Sequence, residues 1–209
     1  MSIKLNLLAS VAAIALAVPG VGSAATLGLD FLPGDVGVVG TSVDTWTLGY
    51  EFNDVTATSV VGLASWNSGI VGNIEVGLWA AGNAVPLATA VVNANSPTIG
   101  TADWVYSLIT PVPLTPGDTY LVGSYGETNY AFEVNPVVIN PLIAYNHNAW
   151  TNGGLLYPGN ASASFAEHAF YGGNVLLAPE PSTWVMMGIG FAGLGAGAIR
   201  RRRREVVAA

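Results

Sequence analysis

Hydrophobic and polar residues alternate with a period of two through the middle of the chain. Over residues 45–52, Trp46, Leu48, Tyr50 and Phe52 fall on one side and Thr45, Thr47, Gly49 and Glu51 on the other, which is the pattern of a strand with one buried face. Similar segments run over 56–64, 73–80, 87–93, 102–109, 119–125, 130–134 and 173–178. Turn formers separate them, among them Asn67-Ser68-Gly69, Gly82-Asn83, Asn95-Ser96-Pro97 and Thr115-Pro116-Gly117-Asp118. Short strands in series, with no amphipathic helix between them, predict an all-β domain: an antiparallel β-sandwich or jelly-roll-like fold. A parallel sheet would need crossover helices that the pattern does not provide. The alternation puts Trp46 and Tyr50 in the core and Trp79 on the face opposite Ile74, Val76 and Leu78. Residues 135–171 differ: Asn, Gly, Pro, Ser and Ala dominate and the periodicity is weak. They are expected to form a long loop-rich segment, either a functional loop or one holding short strands that the pattern does not place.

Both ends depart from the strand pattern. Lys4, the apolar run 5–18, Pro19-Gly20 and the small residues Gly22-Ser23-Ala24-Ala25 have the order of a signal peptide over residues 1–25, with signal peptidase expected to cut after Ala24 or Ala25. Near the other end, Pro179-Glu180-Pro181 precede an uncharged stretch, 184–199, then Arg200, Arg201, Arg202, Arg203 and Arg204 and a short tail, 205–209. As a helix, 184–199 reaches about 24 Å, slightly short of a hydrocarbon core of about 30 Å. A transmembrane helix of that length relies on Trp184 at one interface and on the arginines, which hold the other end in the cytoplasm. Everything before Trp184 then lies outside. Small residues four apart, Gly193 with Gly197 and Ala192 with Ala196, suit close packing against another helix.

A proline–glutamate–proline triplet, a short apolar helix and a basic end, in that order over 179–204, resemble the PEP-CTERM sorting signal of Gram-negative bacteria. The resemblance implies recognition by an exosortase, a membrane protease-transferase that cuts near Pro179, Glu180 and Pro181. It also implies an inner-membrane-anchored precursor whose domain passes to the cell surface or to the extracellular polysaccharide matrix of a biofilm. The alternative is a C-terminal anchor that is never cut, holding a structural or self-associating protein. A second resemblance covers about residues 50–130, through Leu48-Gly49-Tyr50-Glu51-Phe52, Val61-Gly62-Leu63, Glu75-Val76-Gly77-Leu78-Trp79 and the run from Pro111 to Tyr120. These residues resemble an uncharacterised extracellular bacterial domain family, which implies a β-sandwich and brings no activity with it.

Charge sharpens this picture. All six Lys and Arg are Lys4 and Arg200 to Arg204, so the expected extracellular domain, 26–178, has none. Of thirteen acidic residues only Glu180 and Glu205 lie in the tail; the domain keeps eleven and a formal charge of −11, against −7 for the whole chain. Its carboxylates can form ion pairs only with His147, His168 or the new amino terminus, and otherwise need water, neutral donors or a bound cation. Nucleic acid is excluded as a partner because phosphate binding needs basic groups. An acidic polysaccharide would need a bridging divalent ion. The chain has no cysteine, so packing rather than disulfides must hold an exported domain together.

Candidate chemistry is sparse. Gly123-Ser124-Tyr125-Gly126 lacks the glycine two before the serine that a nucleophile elbow needs. His147 and His168 are too few and too far apart for a spaced zinc motif, even with Glu167. Sequence alone brings no two carboxylates into glycosidase geometry. The expectation is therefore a non-enzymatic protein with no catalytic residue, no cofactor and no metal site. Calcium is the one ion with a rationale, because Asp30, Asp35, Asp44 and Asp54 are hard oxygen donors in turn-rich sequence. A carbohydrate-binding module is the alternative function: Trp66, Trp104, Trp150 and Tyr145 offer apolar faces to sugar rings, with Asn146, Asn148 and Asn152 as hydrogen-bonding partners.

Overall fold

The computed structural model describes residues 25–42, 45–134, 137–161 and 172–179. The chain starts with β1 (Thr26–Leu27), β2 (Leu29–Phe31) and, after a single 3-10 turn at Pro33–Asp35, β3 (Val36–Ser42). The alternating segments become β4 (Trp46–Asp54), β5 (Thr58–Trp66), β6 (Val71–Ala80) and β7 (Ala88–Asn93), then a short β8 (Thr98–Ile99) and β9 (Trp104–Pro113). Next come β10 (Thr119–Val134), β11 (Val137–Ile139), β12 (Ile143–Asn152), β13 (Asn160–Ala161) and β14 (Gly173–Pro179). The expected signal segment before Ala25 and the helix over 184–199 lie outside the described residues. So do Asp44, Glu167, His168, Glu180, Pro181, Arg200 to Arg204 and the tail. Among the described residues no helix is long and apolar enough to cross a membrane.

All strand pairings are antiparallel. One sheet has the order β1-β14-β5-β9-β8, and the other β13-β12-β4-β10-β6-β7 with β3 beside the far half of β10. A small ladder joins β11 to β2. The two larger sheets form the sandwich that the period-two pattern predicts. Tyr50, Phe52, Ile74, Val76, Leu78 and Val122 of one sheet and Val60, Leu63, Val175 and Leu177 of the other are fully buried within a single core. Phe31 closes one end of that core, edge-on to Trp66 at 5.4 Å and to Trp104 at 5.5 Å between ring centroids, the arrangement that aromatic quadrupoles favour.

Two departures from the sequence pattern, and one close approach of strands, have local causes. The segments 119–125 and 130–134 are one strand, β10, whose register against β6 shifts between Tyr125 and Glu127. Gly126, with φ of +144°, absorbs that bulge. The first half of β10 then pairs with β4 and the second half with β3. In the first part of the loop-rich segment the alternative with strands holds: residues 137–161 contain β11, β12 and β13, and β12 pairs along the whole length of β4. β12 escapes a period-two reading because its register shifts between Tyr145 and His147, which changes the phase of its alternation midway. Finally, β4 and β10 meet so closely that a Cβ on Gly49 would stand 1.7 Å from the Val122 carbonyl oxygen. Only glycine fits there.

Candidate functional site

The end of β14 brings together the features that the sequence assigns to processing. Leu176 and Leu177 are buried and pair with β5 on one side and with β1 on the other, Leu177 opposite Thr26 and Leu176 opposite Leu27. Thr58, itself fully buried, donates its hydroxyl to the Ala178 carbonyl at 2.8 Å. Pro179 stands opposite Thr58 as the last residue of the strand. Proline has no N–H to donate to a ladder. The last described strand thus ends one residue past Ala178. β14 has no spacer before the triplet; its final residue is the triplet's first.

Residues 177–204 match the PEP-CTERM protein-sorting motif. The motif marks the chain for export through the exosortase pathway, as a membrane-anchored precursor that an exosortase processes. The match begins at Leu177, inside the sheet, and takes in Pro179, Glu180, Pro181 and the five arginines. No curated protein and no solved structure matches the chain.

β1 lies against the same strand end. Asn140 fastens it, donating from Nδ2 to the Thr26 hydroxyl at 2.7 Å and to the Leu27 carbonyl at 3.0 Å. The expected signal peptidase cut, after Ala24 or Ala25, falls immediately before this strand. Ala24 is outside the described residues and Ala25 is the first of them. Beside β1 is an open, mainly apolar cleft of about 390 Å³, bordered by Ala25, Thr26, Ile99, Val138 and Pro141. Sequence reasoning did not single out Thr58 or Asn140. A buried threonine and an asparagine in a turn carry no pattern; only the pairing of distant strands gives them their partners.

The aromatic candidates separate into two groups. Trp66 is 6% exposed and Trp104 fully buried, so neither presents a ring face to a sugar. This corrects the expectation for both, and its cause is Phe31, which recruits the two rings into the core from a strand that the alternation did not reveal. Trp150 and Tyr145 are half-buried. Trp150 stands edge-on to Trp46 at 5.1 Å, and Trp46 is also half-buried rather than a core residue. The Tyr145 ring lies 5.9 Å from that of Tyr50, and its hydroxyl donates to Oδ1 of Asn148, which is fully buried. Trp79 does lie on the far side from Ile74, Val76 and Leu78, yet it is 1% exposed. The strap from Gly153 to Gly159 is fastened on that side: Thr47 donates to the Gly154 carbonyl at 2.6 Å, and Tyr157 accepts from the Gly82 amide at 2.9 Å.

His147 meets the one class of partner that the charge pattern allows it. Its Nε2 is 3.3 Å from Oε1 of Glu51, and Asn146 donates to the same oxygen at 3.0 Å. These side chains sit on the Glu51 face of the sheet, opposite the Tyr50 face that Tyr145 adjoins. The Asn146 side chain thus lies on the face opposite the rings of Tyr145 and Trp150. Asn152 is exposed at the end of β12.

The described aspartates proposed for calcium, Asp30, Asp35 and Asp54, do not converge on a common site. Asp30 is already engaged by neutral donors. Oδ2 accepts from the Thr101 amide at 2.7 Å and the Thr101 hydroxyl at 2.9 Å. Oδ1 accepts from the amides of Phe31 and Ala102 and from Trp104 Nε1, at 2.9, 3.4 and 3.1 Å. Asp35 accepts from the Leu32 amide at 3.3 Å, and Asp54 is 1% exposed at the end of β4. Among the described residues no three His, Cys, Asp or Glu side chains come together to hold a metal ion.

Proposed function

We propose that the chain is an exported, non-enzymatic protein of the cell surface or extracellular polysaccharide matrix. In this reading signal peptidase removes residues 1–25, and an exosortase reads Pro179, Glu180 and Pro181 and cuts the sandwich from its membrane anchor. The sorting motif supports the pathway. The observation that carries the reading is the pairing of β1 with β14, Thr26 opposite Leu177. A precursor held in one membrane by an apolar segment at each end needs both junctions at the same pole of its folded domain. Antiparallel neighbours whose outer ends carry the two junctions meet that need. A non-enzymatic role fits side chains whose bonds are structural, such as Asp30 on its five donors and Glu51 with His147 and Asn146. The resemblance of residues 50–130 to an extracellular domain family supports the same location.

Mass spectrometry of the protein's carboxyl end tests this, in cells with and without the sorting protease. The expected product lacks Arg200 to Arg204 only when the protease is present. Identical full-length ends in both strains would instead make the chain an uncut anchored protein.

A second reading, a carbohydrate-binding module, is favoured by one observation: Trp150 and Trp46 form a half-buried edge-on pair beside the exposed end of β12. With eleven carboxylates and no basic side chain over 26–178, its ligand would be a neutral glycan of the matrix, or an acidic one bridged by calcium.

A further inference from the structure

We infer that the sandwich itself gates its own sorting: the end of β14 is a latch that must fray before the processing enzyme can grip Pro179, and the cut falls on the carboxyl side of that residue. The inference rests on the exosortase reading above and adds the regulation of that same site.

An enzyme that cuts a peptide takes it as an extended strand and supplies main-chain hydrogen bonds of its own. β1 pairs only with Leu176 and Leu177, so Ala178 and Pro179 are held by β5 alone, and a strand end so held must leave that neighbour before an enzyme cleft can enclose it. β14 is paired with β5 through all its length, from Gly173 opposite Ser65 to Pro179 opposite Thr58. Its last carbonyl before the triplet, that of Ala178, is held by the Thr58 hydroxyl. Thr58 is fixed in turn, because its own carbonyl accepts from the Leu114 amide at 2.9 Å. The first residue of the recognition triplet is thus seated in the sheet. Its release requires opening of the final pairs, a local event far smaller than global unfolding. The same geometry sets the boundary of the cut. Leu176 and Leu177 are core residues that partner both β1 and β5, so a cut ahead of them would remove the residues that join β1 to the sheet. A cut beyond Pro179 leaves the sheet whole.

The test follows the full chain in cells that hold the sorting protease, by pulse-chase of precursor to product and mass spectrometry of the product's carboxyl end. Thr58→Val keeps the shape and removes the hydroxyl's bond to Ala178. Conversion is expected to quicken about fivefold, the effect of losing one ordinary net hydrogen bond from the closed state. A second variant inserts four Gly and Ser residues between Ala178 and Pro179, which moves the triplet off the sheet without touching the core. Conversion is expected to quicken at least as much, and every product should end at or beyond Pro179. Equal rates in all three chains, or a product ending before Pro179, overturns the latch while leaving processing itself intact. A wild-type chain that is never shortened overturns the exosortase reading and the latch with it.

Discussion

The phenol of Tyr50 donates to Oδ1 of Asn174 at 2.8 Å, joining residues 124 apart at a fully buried point between the two sheets. The same oxygen accepts from the amides of Val175 and Leu29, at 2.9 and 3.3 Å, and Asn174 Nδ2 donates to the Leu29 carbonyl at 2.7 Å. One side-chain amide therefore ties β14 to β2 and to β4. Tyr50→Phe removes one bond and is expected to cost about 1 kcal/mol in urea unfolding. Asn174→Leu removes all four and is expected to cost about 2–4 kcal/mol, because the polar groups it abandons stay buried. Equal losses for the two variants would contradict the hub.

Asp30 anchors the turn that carries Thr101 and Ala102 onto β2. Asp30→Asn keeps its shape but turns an N–H₂ group toward donors where an oxygen accepted. A loss of about 2–3 kcal/mol in unfolding free energy, read from urea titration, is expected, typical of hydrogen bonds to a charged group. If added calcium raised the stability of the wild type and not of this variant, the carboxylate would be a metal ligand instead.

Gly49 is held by close backbone contact. Gly49→Ala drives a Cβ into the Val122 carbonyl, which no rotamer change can relieve, and should cost more than about 3 kcal/mol or prevent folding. Gly34→Ala is the control: no atom lies within 4 Å of its added Cβ, and its stability should stay within about 0.5 kcal/mol of wild type.

Two of the three tryptophans first considered as sugar platforms should behave differently. Trp66→Ala opens the core beside Phe31 and is expected to cost about 3–5 kcal/mol. Trp150→Ala should cost far less. If the carbohydrate reading holds, it abolishes binding on an array of neutral glycans while the thermal melt persists. Binding unchanged by Trp150→Ala removes that reading.

Trypsin provides a check that needs no variant. With no Lys or Arg between residues 26 and 178, the domain should resist it in the unfolded as well as the folded state. A specific tryptic cut inside that range would show the residue assignment to be wrong.

The alternation of Trp46, Leu48, Tyr50 and Phe52 was enough to place β4, and β5, β6, β7 and β9 were legible for the same reason. β12 was not: its bulge at Asn146 reverses the phase, and Asn148 occupies a buried position that a hydrophobic pattern assigns to an apolar residue. β3 was missed too. In the candidate site the triplet could be read directly, whereas the residues that hold it in place could not. Thr58 and Asn140 act through bonds to Ala178, Thr26 and Leu27, more than a hundred residues away.

By itself the sequence determined the all-β class, the acidic and cation-free composition of the domain, and the order of parts in the sorting tail. These are local properties: which side of a strand a residue faces, and which groups follow one another along the chain. Only the tertiary structure decided that Trp66 and Trp104 are core while Trp150 is not, that Asp30 is filled by its own neighbours, and that the two junctions expected to be processed lie on adjacent strands. Each of those depends on which distant segments pair, and pairing is fixed by burial and register summed over the whole sandwich, not by any one segment's pattern.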